Sequence, residues 1–236
     1  MKLLLCSDYS GVGYKFLNKF FDKTEGLTCL FVGYAQDDPY ELLSGTATKF
    51  KEMGVKVISL QEGYRFEDEI DIVFVRGGNT TRLVHHLLKF NQFEKVKDLV
   101  ENKGAVYIGS SAGSVLAGSD TEYCLRSEPY DYDVKADFGK DALKGFGWID
   151  KMVFVHTTPN RMCYSDEMQN ENDFFITPDT FCYPAHMEEI ELYDDSEYIE
   201  IGNEQALFVD GDDRELLTDD WSSFEFRVLE HLQQQD

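Results

Sequence analysis

Ser111 stands in Gly109-Ser110-Ser111-Ala112-Gly113, between the apolar run Ala105 to Ile108 and a second apolar segment, Val115 to Ala117. That order reads as a buried strand, a sharp turn and the start of a helix. A serine on such a turn is held at the sheet edge with its hydroxyl exposed, and small neighbours let the chain bend without a clash. The backbone N–H of the next residue then points at the reacting oxygen. Ser111 is therefore a candidate nucleophile and the Ala112 N–H a candidate oxyanion donor. The same residues also read as an ordinary Gly/Ser turn, or as an anion-binding loop at a helix N-terminus. No G-K-S/T follows, which argues against a Walker-type phosphate loop.

The elements that must hold this turn alternate along the chain. Lys2 to Cys6, Leu27 to Tyr34, Val55 to Leu60 and Asp71 to Val75 are short apolar runs that read as strands. Between them lie helical patterns: one carries Phe16, Leu17, Phe20 and Phe21, and another starts at Asp37-Asp38-Pro39 and runs to Met53. Thr80 to Phe90 and Phe93 to Asn102 follow as amphipathic helices. Alternation of this kind predicts one α/β domain over residues 1–236, with a mostly parallel central sheet and helices on both faces. Ligands bind at the carboxyl ends of such strands, where Gly77-Gly78-Asn79-Thr80 and Gly109 to Gly113 both fall. Asn79 would shape the first of these loops. Ser119 to Lys144 is polar and tyrosine-rich and reads as a long excursion of the kind that often forms a lid. Gly147 to His156 returns as a strand ending in histidine; Glu197 to Ile201 and Ala206 to Val209 read as a late antiparallel pair or edge strands, and Trp221 to Leu232 as a terminal helix or strand.

Composition narrows the partners. A formal charge of −23, from 45 acidic and 22 basic side chains, should repel nucleic acid and anionic membranes. Cys6, Cys29, Cys124, Cys163 and Cys182 are odd in number and lack C-x-x-C spacing, which together with the absence of a signal-peptide pattern predicts reduced thiols in a cytoplasm. His85 and His86 face different directions on a helix, so packing or surface roles outweigh metal binding. His186 and His231, in acidic surroundings, read as solvated or locally paired, and Arg76 as paired with an acidic neighbour. His156, taken alone, reads as a satisfied core histidine.

Three segments together carry more. Gly77-Gly78-Asn79-Thr80, then Gly109-Ser110-Ser111-Ala112-Gly113, then Gly147-Trp148-Ile149-Asp150 leading to His156 resemble, in order and spacing, the motifs of the peptidase E (aspartyl dipeptidase) family of serine peptidases, which also includes cyanophycinase. The resemblance covers residues 2–210 and implies a fold similar to class I glutamine amidotransferases. It implies that Ser111 attacks the carbonyl, that His156 acts as base and then acid, and that the Gly78 and Ala112 N–H groups hold the oxyanion. By position Glu204 is the matching acid; a shift of one residue puts Asn203 there, and Asp131 and Asp133 are further candidates for orienting His156. Asn79 and Arg161 are the implied substrate-side residues. Arg161 lies close to His156 in sequence, and Thr157-Thr158-Pro159 replaces the usual proline-histidine-tyrosine, so the resemblance does not by itself imply aspartyl specificity. The expectation is a cytoplasmic hydrolase of short peptides or small amides, with no cofactor and no metal, acting on neither nucleic acid nor membrane, and with a homodimer left open. The rival readings are an α/β-hydrolase esterase, whose base would be His186 or His231, and a non-catalytic ligand-binding relative.

Overall fold

The computed structural model describes residues 1–7, 13, 16–38, 45–66, 69–127, 133–157, 190 and 192–218. Five short strands, β1 (Lys2–Cys6), β2 (Thr28–Val32), β3 (Lys56–Ser59), β4 (Ile72–Val75) and β5 (Val106–Ser110), pair in parallel. Their apolar residues face both ways because successive side chains point to opposite sides of a sheet. On one face Leu3, Leu5, Leu30, Val73, Val75 and Tyr107 join one core. Onto it pack α2 (Thr80–Lys89), α3 (Phe93–Glu101) and α4 (Ala112–Leu116). On the other face Leu4, Cys29, Phe31, Phe74 and Ile108 meet Leu17 of a short 3-10 helix (Leu17–Lys19) and Ala47 and Phe50 of α1 (Gly45–Glu52). Helices thus cover both faces of a mostly parallel sheet, as the alternation predicts.

Two further helices, α5 (Cys124–Ser127) and α6 (Val134–Phe138), precede β6 (Met152–Val155). β7 (Tyr198–Ile201), β8 (Gln205–Asp210) and β9 (Asp213–Thr218) complete the described elements. The main sheet runs β3-β2-β4-β5-β1-β8-β9, with β8 and β9 antiparallel.

Of the two readings of the late strands, the antiparallel pair fails, while the edge-strand reading holds for β7 and not for β8. β7 and β8 are not a pair: β7 lies parallel to β6 in a separate two-stranded sheet, while β8 lies against β1. The turn at 202–204 therefore carries the chain from one sheet to the other. Alternating burial in adjacent apolar runs identifies strands but not their partners, which long-range pairing decides. β9 was not expected, since most of its side chains are exposed.

The excursion at 119–144 also differs. Its described parts are built into the body: Asp120 bridges antiparallel to Lys144, Thr121 binds the Leu143 carbonyl through both its N–H (2.8 Å) and its hydroxyl (2.7 Å), and Tyr123 is buried with its hydroxyl 2.8 Å from Val153 O. Gly147 to Lys151 is loop rather than strand, with Trp148 and Ile149 buried beneath it. Residues 39–44 of the expected second helix, and 221–232, lie outside the described residues. Among the described residues no helix is long and apolar enough to cross a membrane.

Candidate active site

Register brings the chemistry to one edge. Val75 pairs with Gly109 and Cys6 pairs with Ser110, so the loops leaving β4, β5 and β1 emerge side by side at the carboxyl ends. Ser111 follows β5 directly, with φ 48° and ψ −110°. A non-glycine residue in that region is strained by roughly 1–3 kcal/mol and persists only where its surroundings hold it. Here the Ser111 N–H donates to Cys6 O (2.9 Å), and the Ser114 hydroxyl is shared between Cys6 O (2.7 Å) and Gly109 O (2.9 Å). The Tyr107 hydroxyl donates to Gly113 O at 2.6 Å. A Cβ at Gly113 would overlap the Val75 carbonyl and come within 2.9 Å of the Val75 Cβ, so the elbow closes onto β4 only because that position has no side chain.

The histidine arrives from the opposite direction. α4 starts beside Ser111, and β6 packs against it and leads directly into His156. The loop before β6 is stitched to the far end of α4 by Phe146 N–H to Leu116 O (2.7 Å) and Ile149 N–H to Ala117 O (3.0 Å). Trp148 packs edge-on to Tyr107 with ring centroids 4.8 Å apart. The Gly147 to Asp150 motif is therefore a fastening that aims β6 at the elbow. His156 has a left-handed backbone, φ 60°. Its Nε2 lies 3.1 Å from Ser111 Oγ and its Nδ1 2.6 Å from Asn203 Oδ1. An amide oxygen only accepts, so Nδ1 carries the proton and the bare Nε2 accepts the Ser111 hydroxyl. All three side chains are half-buried.

The Nδ1 bond goes to Asn203, so the amide stands behind the ring, whereas the resemblance pointed first to Glu204, the next residue of the same turn. Both occupy the 202–204 crossover between sheets. Asp133 is committed elsewhere: its carboxylate caps α6, accepting Ala136 N–H at 3.0 Å. Asp131, Arg161, His186 and His231 lie outside the described residues. Asn79 caps α2, accepting Arg82 N–H at 2.8 Å, while its own N–H donates to Ala35 O at 2.9 Å. The bend it fixes contains Gly78, with φ 138° and the Ala35 carbonyl where a Cβ would lie. Gln36 donates its amide to Gly77 O, and Gly77 is so close to Ser111 that a Cβ there would lie 2.8 Å from the Ser111 Cβ. Ala112 opens α4, so its N–H has no intrahelical acceptor.

Sequence reading did not single out Ser7, which is buried at the end of β1. Its hydroxyl donates to Ile201 O (2.5 Å) and accepts the His156 N–H (3.0 Å). A lone serine after a strand carries no pattern that would reveal this. His85 and His86 sit elsewhere, on α2. His85 is buried, with Nε2 3.4 Å from Asp137 Oδ2 of α6, and burial holds both rings below the usual imidazole range. Among the described residues no group of three or more His, Cys, Asp or Glu could hold a metal ion.

Known proteins are similar to this chain in sequence or in fold. "Peptidase E" of Haemophilus influenzae Rd is 33% identical over 131 residues, covering 50% of this chain and 59% of that protein. The "Probable alpha-aspartyl dipeptidase" of Drosophila melanogaster is 31% identical over 104 residues, covering 43% of each. The matched segments thus span about half the length of these curated relatives. Among solved structures, one described as a peptidase E protein of Listeria monocytogenes EGD-e superposes with a TM-score of 0.67 at 19% identity, covering 93% of this chain and 98% of that one. A peptidase from an acI-B1 actinobacterium gives 0.56 at 15% identity, with 92% and 87% covered. At such identities the superpositions speak for the fold. Residues 3–217 match peptidase family S51, and the chain belongs to that family.

Proposed function

We propose that this chain is a serine hydrolase that cleaves a short peptide or similar small amide through an acyl-enzyme on Ser111. The observation that carries the reading is the line Ser111 Oγ, His156 Nε2 (3.1 Å), His156 Nδ1, Asn203 Oδ1 (2.6 Å). A serine hydroxyl is a weak nucleophile until a base takes its proton. As Oγ attacks the carbonyl carbon, its proton passes to Nε2 and the carbonyl electrons become an oxyanion, received by the Gly78 and Ala112 N–H groups. Collapse breaks the C–N bond, His156 returns the proton to the leaving amine, and water repeats the sequence on the ester. Asn203 holds the productive tautomer, and Asn79 serves by fixing the Gly78 bend rather than by touching substrate.

The names of the relatives suggest dipeptides with an N-terminal aspartate as the first substrates to try, although the chain's own acidity opposes an anionic ligand unless a basic group such as Arg161 receives it. Incubation with a small fluorophosphonate followed by intact-mass spectrometry tests the chemistry. Wild type should gain one adduct, mapped to Ser111, while Ser111→Ala and His156→Ala should gain none. A wild type that stays unlabelled but binds small molecules tightly would instead favour the non-catalytic reading.

A further inference from the structure

The proposed nucleophile and base belong to different sheets. Ser111 follows β5 of the main sheet, His156 follows β6 of the two-stranded sheet, and Asn203 lies in the crossover between β7 and β8. Their alignment requires a joint between the sheets at the end where they meet. The dipeptide Cys6-Ser7 meets all three segments. Cys6 O accepts the Ser111 N–H at 2.9 Å, Ser7 Oγ accepts the His156 N–H at 3.0 Å, and the same hydroxyl donates to Ile201 O at 2.5 Å, two residues before Asn203.

We propose that Ser7 is a positioning residue: its buried hydroxyl ties the ends of β6 and β7 to the end of β1 and so keeps the His156 ring between Ser111 and Asn203. The inference rests on the hydrolase reading above. His156 has a left-handed backbone, φ 60°, which a residue with a Cβ leaves unless something holds it. The hydrogen bond from its N–H to Ser7 is such a hold. A serine suits the position because one hydroxyl can accept and donate together, joining an N–H of one strand end to a C=O of the next. An alanine leaves the His156 N–H and the Ile201 C=O without that partner, and the ring is then free to rotate away from Oγ.

The test uses the full chain, wild type and Ser7→Ala, with fluorophosphonate labelling of Ser111 and the proton spectrum of the His156 Nδ1–H, recognised by its absence from His156→Ala. Ser7→Ala should label at least about tenfold more slowly at a temperature where it is fully folded, since displacements of about an ångström cost on the order of a hundredfold. The Nδ1–H resonance should broaden or vanish with it. Labelling at the wild-type rate with the resonance retained would overturn the proposal. If wild type itself does not label, the hydrolase reading fails, and the resonance alone then decides the positioning role: its retention in Ser7→Ala refutes that role, its loss supports it. If Ser7→Ala does not fold, Ser7→Cys, with a much weaker donor and acceptor, takes its place under the same criteria.

Discussion

Replacing Asn203 by aspartate changes one atom type behind His156 and should change the base. In the native site Oδ1 is 2.6 Å from Nδ1 and neutral, so it fixes the ring tautomer without strongly favouring the imidazolium. An aspartate there would place a full negative charge about 4 Å from the centre of the ring's positive charge. At an effective dielectric of about 20 that attraction is worth about 4 kcal/mol. Desolvation of the half-buried carboxylate offsets part of it, leaving a rise of about 1–2 units in the His156 pKa. The sign follows directly: the base must be neutral to accept the Ser111 proton, so the pH at which labelling reaches half its plateau moves up by that amount. The plateau rate itself should rise, because the imidazolium formed in the transition state is now paired. The assay is the second-order rate of fluorophosphonate labelling against pH for wild type, Asn203→Asp and Glu204→Gln. Glu204→Gln should leave the midpoint in place. An unmoved midpoint in Asn203→Asp, or a comparable shift in Glu204→Gln, would refute the assignment of Asn203 as the group behind the ring.

Gly113→Ala should destabilise the protein by about 1–3 kcal/mol, because the new methyl meets the Val75 backbone rather than a side chain that could turn aside. Thermal unfolding should fall by about 2–12 °C, with labelling of the residual folded protein also impaired; an unchanged melting temperature would contradict the close approach of elbow and β4. His85 gives a pH dependence. It is enclosed by His86, Asp137, Lys89 and the Phe138 ring, and burial outweighs Asp137 in setting its pKa below the ordinary 6.5. Below about pH 6.5 the unfolded chain therefore binds more protons at this site than the folded one, and stability falls as pH falls. Comparing melting temperatures of wild type and His85→Gln between about pH 7.5 and 5.5, wild type should lose more on acidification; parallel curves would refute the buried-neutral assignment.

Much of this was present in local pattern. The apolar runs that became β1, β2, β4 and β5 are short and buried on both faces, and helical periodicity over Thr80 to Lys89 and Phe93 to Glu101 is undisturbed by glycine or proline. Such elements are fixed by side chains within a few residues of one another, and the Gly-Ser-Ser-Ala-Gly turn likewise carries its own reason for bending. What local pattern cannot hold is a contact between segments far apart in the chain. β7 reads as a hairpin partner of β8 until β6 claims it, and the polar stretch after Gly118 reads as a lid until Tyr123 and Val134 are found in the core. The same limit governed the site. Ser111 was legible from its neighbours alone and His156 from motif order, but the bond from Asn203 to the ring follows from how the crossover between two sheets is turned, and the bonds of Ser7 to His156 N–H and Ile201 O from three strand ends meeting there. Sequence determined the elements and the candidate nucleophile; tertiary structure decided which side chain bonds the His156 ring and where Ser7 meets it, since both depend on long-range geometry that no short stretch of residues encodes.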